Sequence, residues 1–182
     1  SKLPCWKAAN LYSTSYPSVQ SVSGTNALEM YIYRSNVANP MYCYIATPPI
    51  DTNVLPLRTL QVSFKALRSS TSYMHEPAFG VMTDSSDIET FDTLQLIHMT
   101  NSGIWNEYTY SLANYRGDAR FIAFKTSVYG SQYYSYPYID DIEVNYIRPC
   151  MRPTNFSVDN VTRNSATKGA SRSASGLCIS IS

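Results

Sequence analysis

The chain predicts an all-β fold: an antiparallel two-sheet jelly-roll sandwich followed by an irregular C-terminal tail. Three observations carry that prediction. Apolar and polar residues alternate with period 2 through many short segments, and no long segment repeats with the helical period. Turn-forming residues separate those segments at regular intervals. The composition is tyrosine-rich and charge-poor, with 16 Tyr against 6 Phe and 2 Trp and only 15% charged residues, whereas soluble domains typically carry about 25%. Tyrosine suits pleated, half-buried surfaces.

The elements follow in order along the chain. "LEMYIY" sets Leu28, Met30 and Ile32 on one face and Glu29, Tyr31 and Tyr33 on the other. "MYCYIAT" is a second strand, closed by Pro48-Pro49. "LQVSFKAL" alternates most cleanly, with Leu60, Val62, Phe64 and Ala66 inward and Gln61, Ser63 and Lys65 outward. "AFGVMT", "LQLIHM", "WNEYTYSL", "RFIAFKTSV" and "YIDDIEV" complete the set. Asn39-Pro40, Asn101-Ser102-Gly103, Arg116-Gly117-Asp118 and Gly130-Ser131 mark turns between them. Short strands spaced in this way make sandwiches and jelly rolls. One helical turn is expected in "DSSDIETF", capped by Asp84 or Ser85. The core is predicted to contain Leu60, Val62, Phe64, Ile122, Phe124, Ile142 and Val144, with Trp105 as a further core anchor.

A length of 182 residues suits one domain plus an extension. The break is expected after Ile147, where two prolines appear and Phe156 is the one further aromatic. Residues 1–147 form the predicted sandwich, and residues 148–182 a linker with a segment too short for its own core. The charge also divides there. Residues 1–147 carry nine Lys/Arg and twelve Asp/Glu, a net of −3, and residues 148–182 carry five and one, a net of +4. The basic residues of the tail are spread among Ser and Asn, without the aromatic-studded basic patch of a nucleic-acid binder, so no nucleic-acid partner is predicted. No run of about 18 apolar residues is present, so no direct membrane insertion is predicted. The chain lacks an initiator Met and an N-terminal signal pattern, and reads as a mature segment, an excised piece or an incomplete sequence.

Four cysteines, Cys5, Cys43, Cys150 and Cys178, form no C-x-x-C pair, which argues against a zinc ribbon. Three pairings are open, as is the reading of all four as small buried hydrophobes. If a disulfide forms, Cys5–Cys150 is the expected pair, because the two residues bracket the sandwich. The histidines are His75 and His98. His98 shares the face of Leu94 and Leu96 and reads as a core or rim residue. Catalytic motifs of the H-E-x-x-H, G-x-S-x-G and P-loop types are missing, and no motif supports a Cys43–His75 nucleophile pair.

Two features suggest binding instead. "VYGSQYYSYPY" gathers Tyr129, Tyr133, Tyr134 and Tyr136, side chains that stack on sugar rings or anchor a protein partner at low entropic cost. "YIDDIEV" places Asp140 and Asp141 inside a strand, where aspartate is disfavoured. With Ile142 and Val144 taken as inward, strict alternation sends Tyr138 and Asp140 inward and Asp141 and Glu143 outward. An inward carboxylate needs a partner: backbone N–H groups at a strand end would serve without metal, and its hard oxygens also suit Ca²⁺. Asp140 is the predicted metal-side carboxylate, with Asp141 beside it. Asp84, Asp87, Glu89 and Asp92 form a second acidic group, read as a solvated turn.

"LPCW", "LQVSFKAL", "FGVMTDSSDIETF", "YRGDARFIAFKTS" and "YIDDIEV", in this order, resemble the cleaved-adhesin or MAM-like jelly-roll modules of bacterial surface proteins, including gingipain-type adhesins. The resemblance covers about residues 3–147. "RPTNFSVDNVTRNSAT" resembles the opening strands of a fibronectin type III domain, cut short. The resemblance implies a non-catalytic binding or adhesion module of a secreted or cell-surface, multidomain protein, with a glycan or extracellular protein as ligand. It also implies a structural calcium held in part by an acidic residue of the last strand. A glycoside hydrolase, an accessory domain of a surface protease and a structural spacer are the alternatives.

Overall fold

The computed structural model describes residues 6–10, 17–22, 25–34, 40–68, 76–99, 103–131, 133–147, 156–162 and 165–170. The chain divides into two compact units, Ser1–Ile147 and Arg148–Ser182.

The first unit is built from two five-stranded antiparallel sheets. One holds β1 (Lys7–Asn10), β5 (Met41–Ala46), β10 (Phe121–Val128), β7 (Ala78–Met82) and β8 (Phe91–Leu96), in that spatial order. The other holds β2 (Ser18–Val22), β3 (Thr25–Glu29), β12 (Pro137–Tyr146), β6 (Leu60–Arg68) and β9 (Trp105–Ser111). A short ribbon of β4 (Ile32–Tyr33) and β11 (Tyr134–Ser135) continues from β3 and β12. The predicted all-β sandwich is therefore the fold observed.

The core lies between the inner faces of the two sheets, as period-2 alternation requires. Leu60, Val62, Phe64 and Ala66 of β6 are all buried, and so are Leu28, Met30, Ile32, Ile122 and Phe124. Phe64 sits at the centre. Its ring meets Phe124 edge-on at 4.9 Å and Phe79 at 6.0 Å, joining the two sheets, while Tyr108 and Tyr110 of β9 lie at 5.4 and 5.8 Å. A smaller cluster, Tyr44, Ala46, Met82 and Ala123, is buried on the outer face of the first sheet. Ile88 and Phe91 pack against it, and the Tyr44 hydroxyl donates to the Ser85 carbonyl at 2.9 Å.

Several sequence expectations need correction. The helical turn is a single 3₁₀ turn, Ile88–Thr90, and its cap is Asp87, whose carboxylate accepts from the Glu89 amide. Asp84 instead accepts from the Ser86 amide at 2.8 Å. In "LQLIHM" the core takes Ile97 and Met99, while Leu96 and His98 are exposed. His98 is not a core residue; its Nδ1 pairs with Glu76 across the surface. Trp105 is half-buried at the start of edge strand β9, outside the core cluster.

The largest correction concerns β12. Ile139 lies opposite Ala66 and Asp140 opposite Lys65, but Glu143 is the next residue in register, opposite Ser63. Asp141 and Ile142 together face the single residue Phe64, which defines a β-bulge. Asp141 takes a positive φ of 50°, a conformation that aspartate tolerates better than most residues. The bulge resets the alternation. Ile139 and Ile142 both turn towards the core, and Asp140 and Tyr138 turn outward, not inward. Ile142 is only partly buried, packed on the core. Val144 lies opposite buried Val62 but is 39% exposed, so it is not a core residue. The reason is local: β3 pairs with β12 only at Tyr138 and Ile139, leaving the far half of β12 with β6 as its one described neighbour.

In the second unit, β13 (Phe156–Thr162) and β14 (Ser165–Ala170) pair antiparallel. The expected disulfide pair, Cys5 and Cys150, lies outside the described residues, as do Cys178 and His75.

Candidate ligand-binding face

The ribbon that continues β3 and β12 carries the predicted tyrosines. Tyr33 lies opposite Tyr134 and Ile32 opposite Ser135. Further along, Glu29 lies opposite Tyr138 and Leu28 opposite Ile139. The same offset holds at both ends, and the Met30 amide donates to the Pro137 carbonyl at 3.0 Å between them. Tyr31 and Tyr136 therefore face each other, with ring centroids 6.3 Å apart. Tyr134 and Tyr136 stack along the strand at 5.6 Å and 29°. The result is a ladder on one outer face, Tyr33 with Tyr134, then Tyr31 with Tyr136, then Glu29 with Tyr138, whose hydroxyl donates to the Glu29 carboxylate at 3.0 Å.

The opposite face of the ribbon is anchored in the core. Ile32 and Ser135 are fully buried, and Ser135 shares a 2.8 Å hydrogen bond with Thr126 of β10. Alternation thus explains the ladder. Apolar or small residues at 32 and 135 point in, so the tyrosines on either side of each must point out.

Arg34 fixes one end. It is buried, its Nη2 donates to the Gly130 carbonyl, and its amide donates to Tyr133 O at 2.7 Å. Gly130 turns the chain at φ 60°. Tyr129 and Tyr133 flank this turn, 51% and 47% exposed. Of the predicted tyrosines, Tyr134 and Tyr136 belong to the ladder, and Tyr129 and Tyr133 border it. Sequence reasoning missed Tyr31, Tyr33 and Arg34 as parts of the site. The available signal was the outward parity of the two tyrosines in "LEMYIY"; nothing local showed that they would meet residues about a hundred positions later.

The two aspartates predicted to bind calcium lie on the same outer face. The Asp141 carboxylate pairs with Lys65 Nζ at 2.8 Å, and this contact holds the Lys65 ammonium above its ordinary pKa. The Asp140 carboxylate folds back to accept from the Asp141 amide at 2.8 Å. One oxygen set is thus neutralised by an ammonium and the other caps the bulge. Among the described residues no three His, Cys, Asp or Glu side chains come together in a way that could hold a metal ion. By themselves these residues do not fit a calcium shell, which needs six to eight oxygens.

Nor does Cys43 offer a nucleophile. It is buried on the inner face, and burial pushes its thiol up to about 12, against a smaller opposing effect from the Asn10 hydrogen bond. A cleft of about 230 Å³, lined by residues that include Thr52, Arg58, Tyr115 and Arg116, has one carboxylate, Asp118. It lacks the facing carboxylate pair of a glycosidase.

No family model and no curated protein matches the chain. Solved structures do. The K1 cleaved adhesin domain of Lys-gingipain from Porphyromonas gingivalis W83 is similar over 81% of this chain and 94% of that one, at 13% identity and a TM-score of 0.52. The K3 cleaved adhesin domain of the same protein covers 79% of this chain and 92% of its own, at 14% identity and a TM-score of 0.47. At this identity the likeness to the K1 domain is one of architecture, and it gives the chain the jelly-roll fold of a cleaved-adhesin module.

Proposed function

We propose that residues 1–147 are a non-catalytic carbohydrate-binding module of a secreted or cell-surface protein with further domains, and that the tyrosine ladder is its binding face. The observation that carries this reading is the placement of four tyrosine rings, Tyr31, Tyr33, Tyr134 and Tyr136, in register on one outer face backed by the core. Pyranose rings present apolar C–H faces that pack on aromatic rings, and phenolic hydroxyls hydrogen-bond the sugar edges. The rings are held by one another and by the anchored ribbon, so binding orders few side chains. A fold shared with an adhesin domain supports a surface location. Among the described residues no helix is long and apolar enough to cross a membrane.

The test is a glycan array probed with the labelled protein, followed by titration of the best polysaccharide. Tyr134→Ala and Tyr136→Ala should each weaken binding by about tenfold, or about 1.4 kcal/mol. Tyr146→Ala, exposed but off the ladder, should leave binding unchanged. Binding that survives both ladder substitutions, or no binding anywhere on the array, would reject the assignment.

A further inference from the structure

The loop from β9 to β10 crosses from one sheet to the other, and its crown is Arg116-Gly117-Asp118. All three residues are exposed. The crown rests on a rigid base. The Tyr115 amide donates to Leu112 O at 2.9 Å, and the Tyr115 hydroxyl accepts from the Ala119 amide at 3.1 Å, arching over residue 117. A Cβ at 117 would lie 2.2 Å from that hydroxyl oxygen and 2.6 Å from Cζ, so any other residue there would push the Tyr115 ring out of the arch. Ala119 is buried, and the Arg120 amide donates to Met82 O at 3.0 Å, fixing the exit of the loop. Arg116 rests on the surface through Nη1, which donates to Ala113 O at 2.6 Å and Tyr115 O at 3.0 Å. A cation and an anion are thus displayed on either side of a bare glycine, on a loop that is already ordered.

We propose that this crown docks a divalent-cation-dependent adhesion receptor of the kind that reads an Arg-Gly-Asp tripeptide. Such a receptor offers carboxylates to the guanidinium fork and an open position on a bound metal to the aspartate. Both contacts follow from ordinary ligand chemistry: guanidinium pairs with carboxylates through parallel hydrogen bonds, and a carboxylate oxygen is a preferred ligand of hard cations. The loop's order lowers the entropic cost of presenting the two charges. The exposed bonds of Arg116 to two carbonyls exchange for stronger charged ones when the receptor arrives. The crown and the tyrosine ladder lie towards opposite ends of β10, whose eight residues span roughly 25 Å. The two surfaces are separate, and this inference does not depend on the glycan reading.

The test is retention of the full chain on an immobilised vitronectin-receptor integrin ectodomain, with its N-glycans removed so that a glycan-binding ladder finds nothing to hold. In Mn²⁺ the wild-type protein should be retained, and both EDTA and a linear Gly-Arg-Gly-Asp-Ser peptide should release it. D118E keeps the charge but moves the carboxylate one methylene outward; it should weaken retention by about thirtyfold or more. A Tyr134→Ala/Tyr136→Ala double variant should be retained like wild type. No retention would overturn the proposal. So would retention indifferent to EDTA, to the peptide or to D118E, or retention lost in the ladder variant. Should D118E unfold, the peptide competition, which needs no variant, decides.

Discussion

Asp141 tests the bulge, because its backbone and its side chain can be perturbed separately. At φ 50° it occupies the left-handed region, and its carboxylate pairs with Lys65 at 2.8 Å. Asp141→Asn keeps a side chain tolerant of that conformation and removes only the charge. Lys65 and Asp141 are 39% and 59% exposed in their side chains, so the pair is screened and its loss should be small and vanish at high salt. Asp141→Gly removes both the side chain and the conformational cost. Asp141→Ala keeps a Cβ in the left-handed region, at a cost of roughly 1–2 kcal/mol. Glycine gives back part of its advantage through the entropy of the unfolded chain, roughly 0.5–1 kcal/mol. The net expectation is that the Gly variant exceeds the Ala variant by about 1 kcal/mol, a melting difference of about 2–4 °C for a domain of this size. Thermal melts of the wild type and the three variants, each at low and high salt, measure this. An Ala variant as stable as the Gly variant would refute the bulge conformation. The same melts repeated with calcium and with chelator test the metal expectation: with Lys65 as the counter-charge, neither aspartate should carry a calcium-dependent shift. A shift that Asp140→Ala abolishes would reinstate the metal.

Two further outcomes follow from the core. Phe64→Ala removes the ring that bridges the sheets through Phe79 and Phe124 and should cost about 3–5 kcal/mol, read as a shift in the urea midpoint; a cost below about 1 kcal/mol would show that the sheets do not meet there. Cys43, with its thiol pushed up to about 12 by burial, should resist alkylation at pH 8 until the domain unfolds. Its folded-state pKa is raised, so its contribution is complete below the unfolded value near 9 and declines as pH rises towards 12, by up to about 1.4 kcal/mol per unit. A Cys43→Ala variant should lack that alkaline slope, and rapid native-state alkylation would show the thiol to be accessible.

Legibility in the sequence tracked how local the determining interaction was. β6 was readable because one uninterrupted alternation, Leu60 to Ala66, decides its two faces. The turn in "DSSDIETF" was legible but its cap was not, because Asp84, Ser85 and Asp87 all satisfy capping chemistry, and only packing of Ile88 and Phe91 on the outer face of the first sheet chooses among them. Leu96 and Ile97 exchanged roles because β8 is an edge strand that ends at Leu96, and alternation gives no guidance past a strand's end. Half the tyrosine ladder was visible as a cluster in "YYSYPY". The other half required knowing that residues 31–33 lie against residues 134–136, which only the sheet pairing supplies.

The two adjacent aspartates of β12, between Ile139 and Ile142, have a use in the site. Two inward isoleucines three positions apart cannot belong to one regular strand; an extra residue must lie between them. On the β11 side of the bulge, Ile139 and Ser135 face the core and Tyr134, Tyr136 and Tyr138 face out. On the far side, Ile142 faces the core and Val144 lies opposite Val62. Without the bulge, a strand whose parity is set by Val144 would turn the tyrosines inward and expel Ile139. Keeping every residue but losing the bulge would expose Ile139, forfeiting about 1.5–3 kcal/mol, and push the tyrosines into a filled core at a further cost of about 1–3 kcal/mol. Deleting Asp141 instead removes the extra residue: Ile139 and Ile142 come to lie two positions apart, and one regular strand keeps both inward with Val144, and the tyrosines outward. The Asp141 deletion, like Asp141→Gly, should therefore retain both fold and glycan binding. Near-ultraviolet circular dichroism and the polysaccharide titration report the two properties. A deletion variant that unfolds or no longer binds would show that the bulge itself, and not the alternation on either side of it, sets the ladder's outward face.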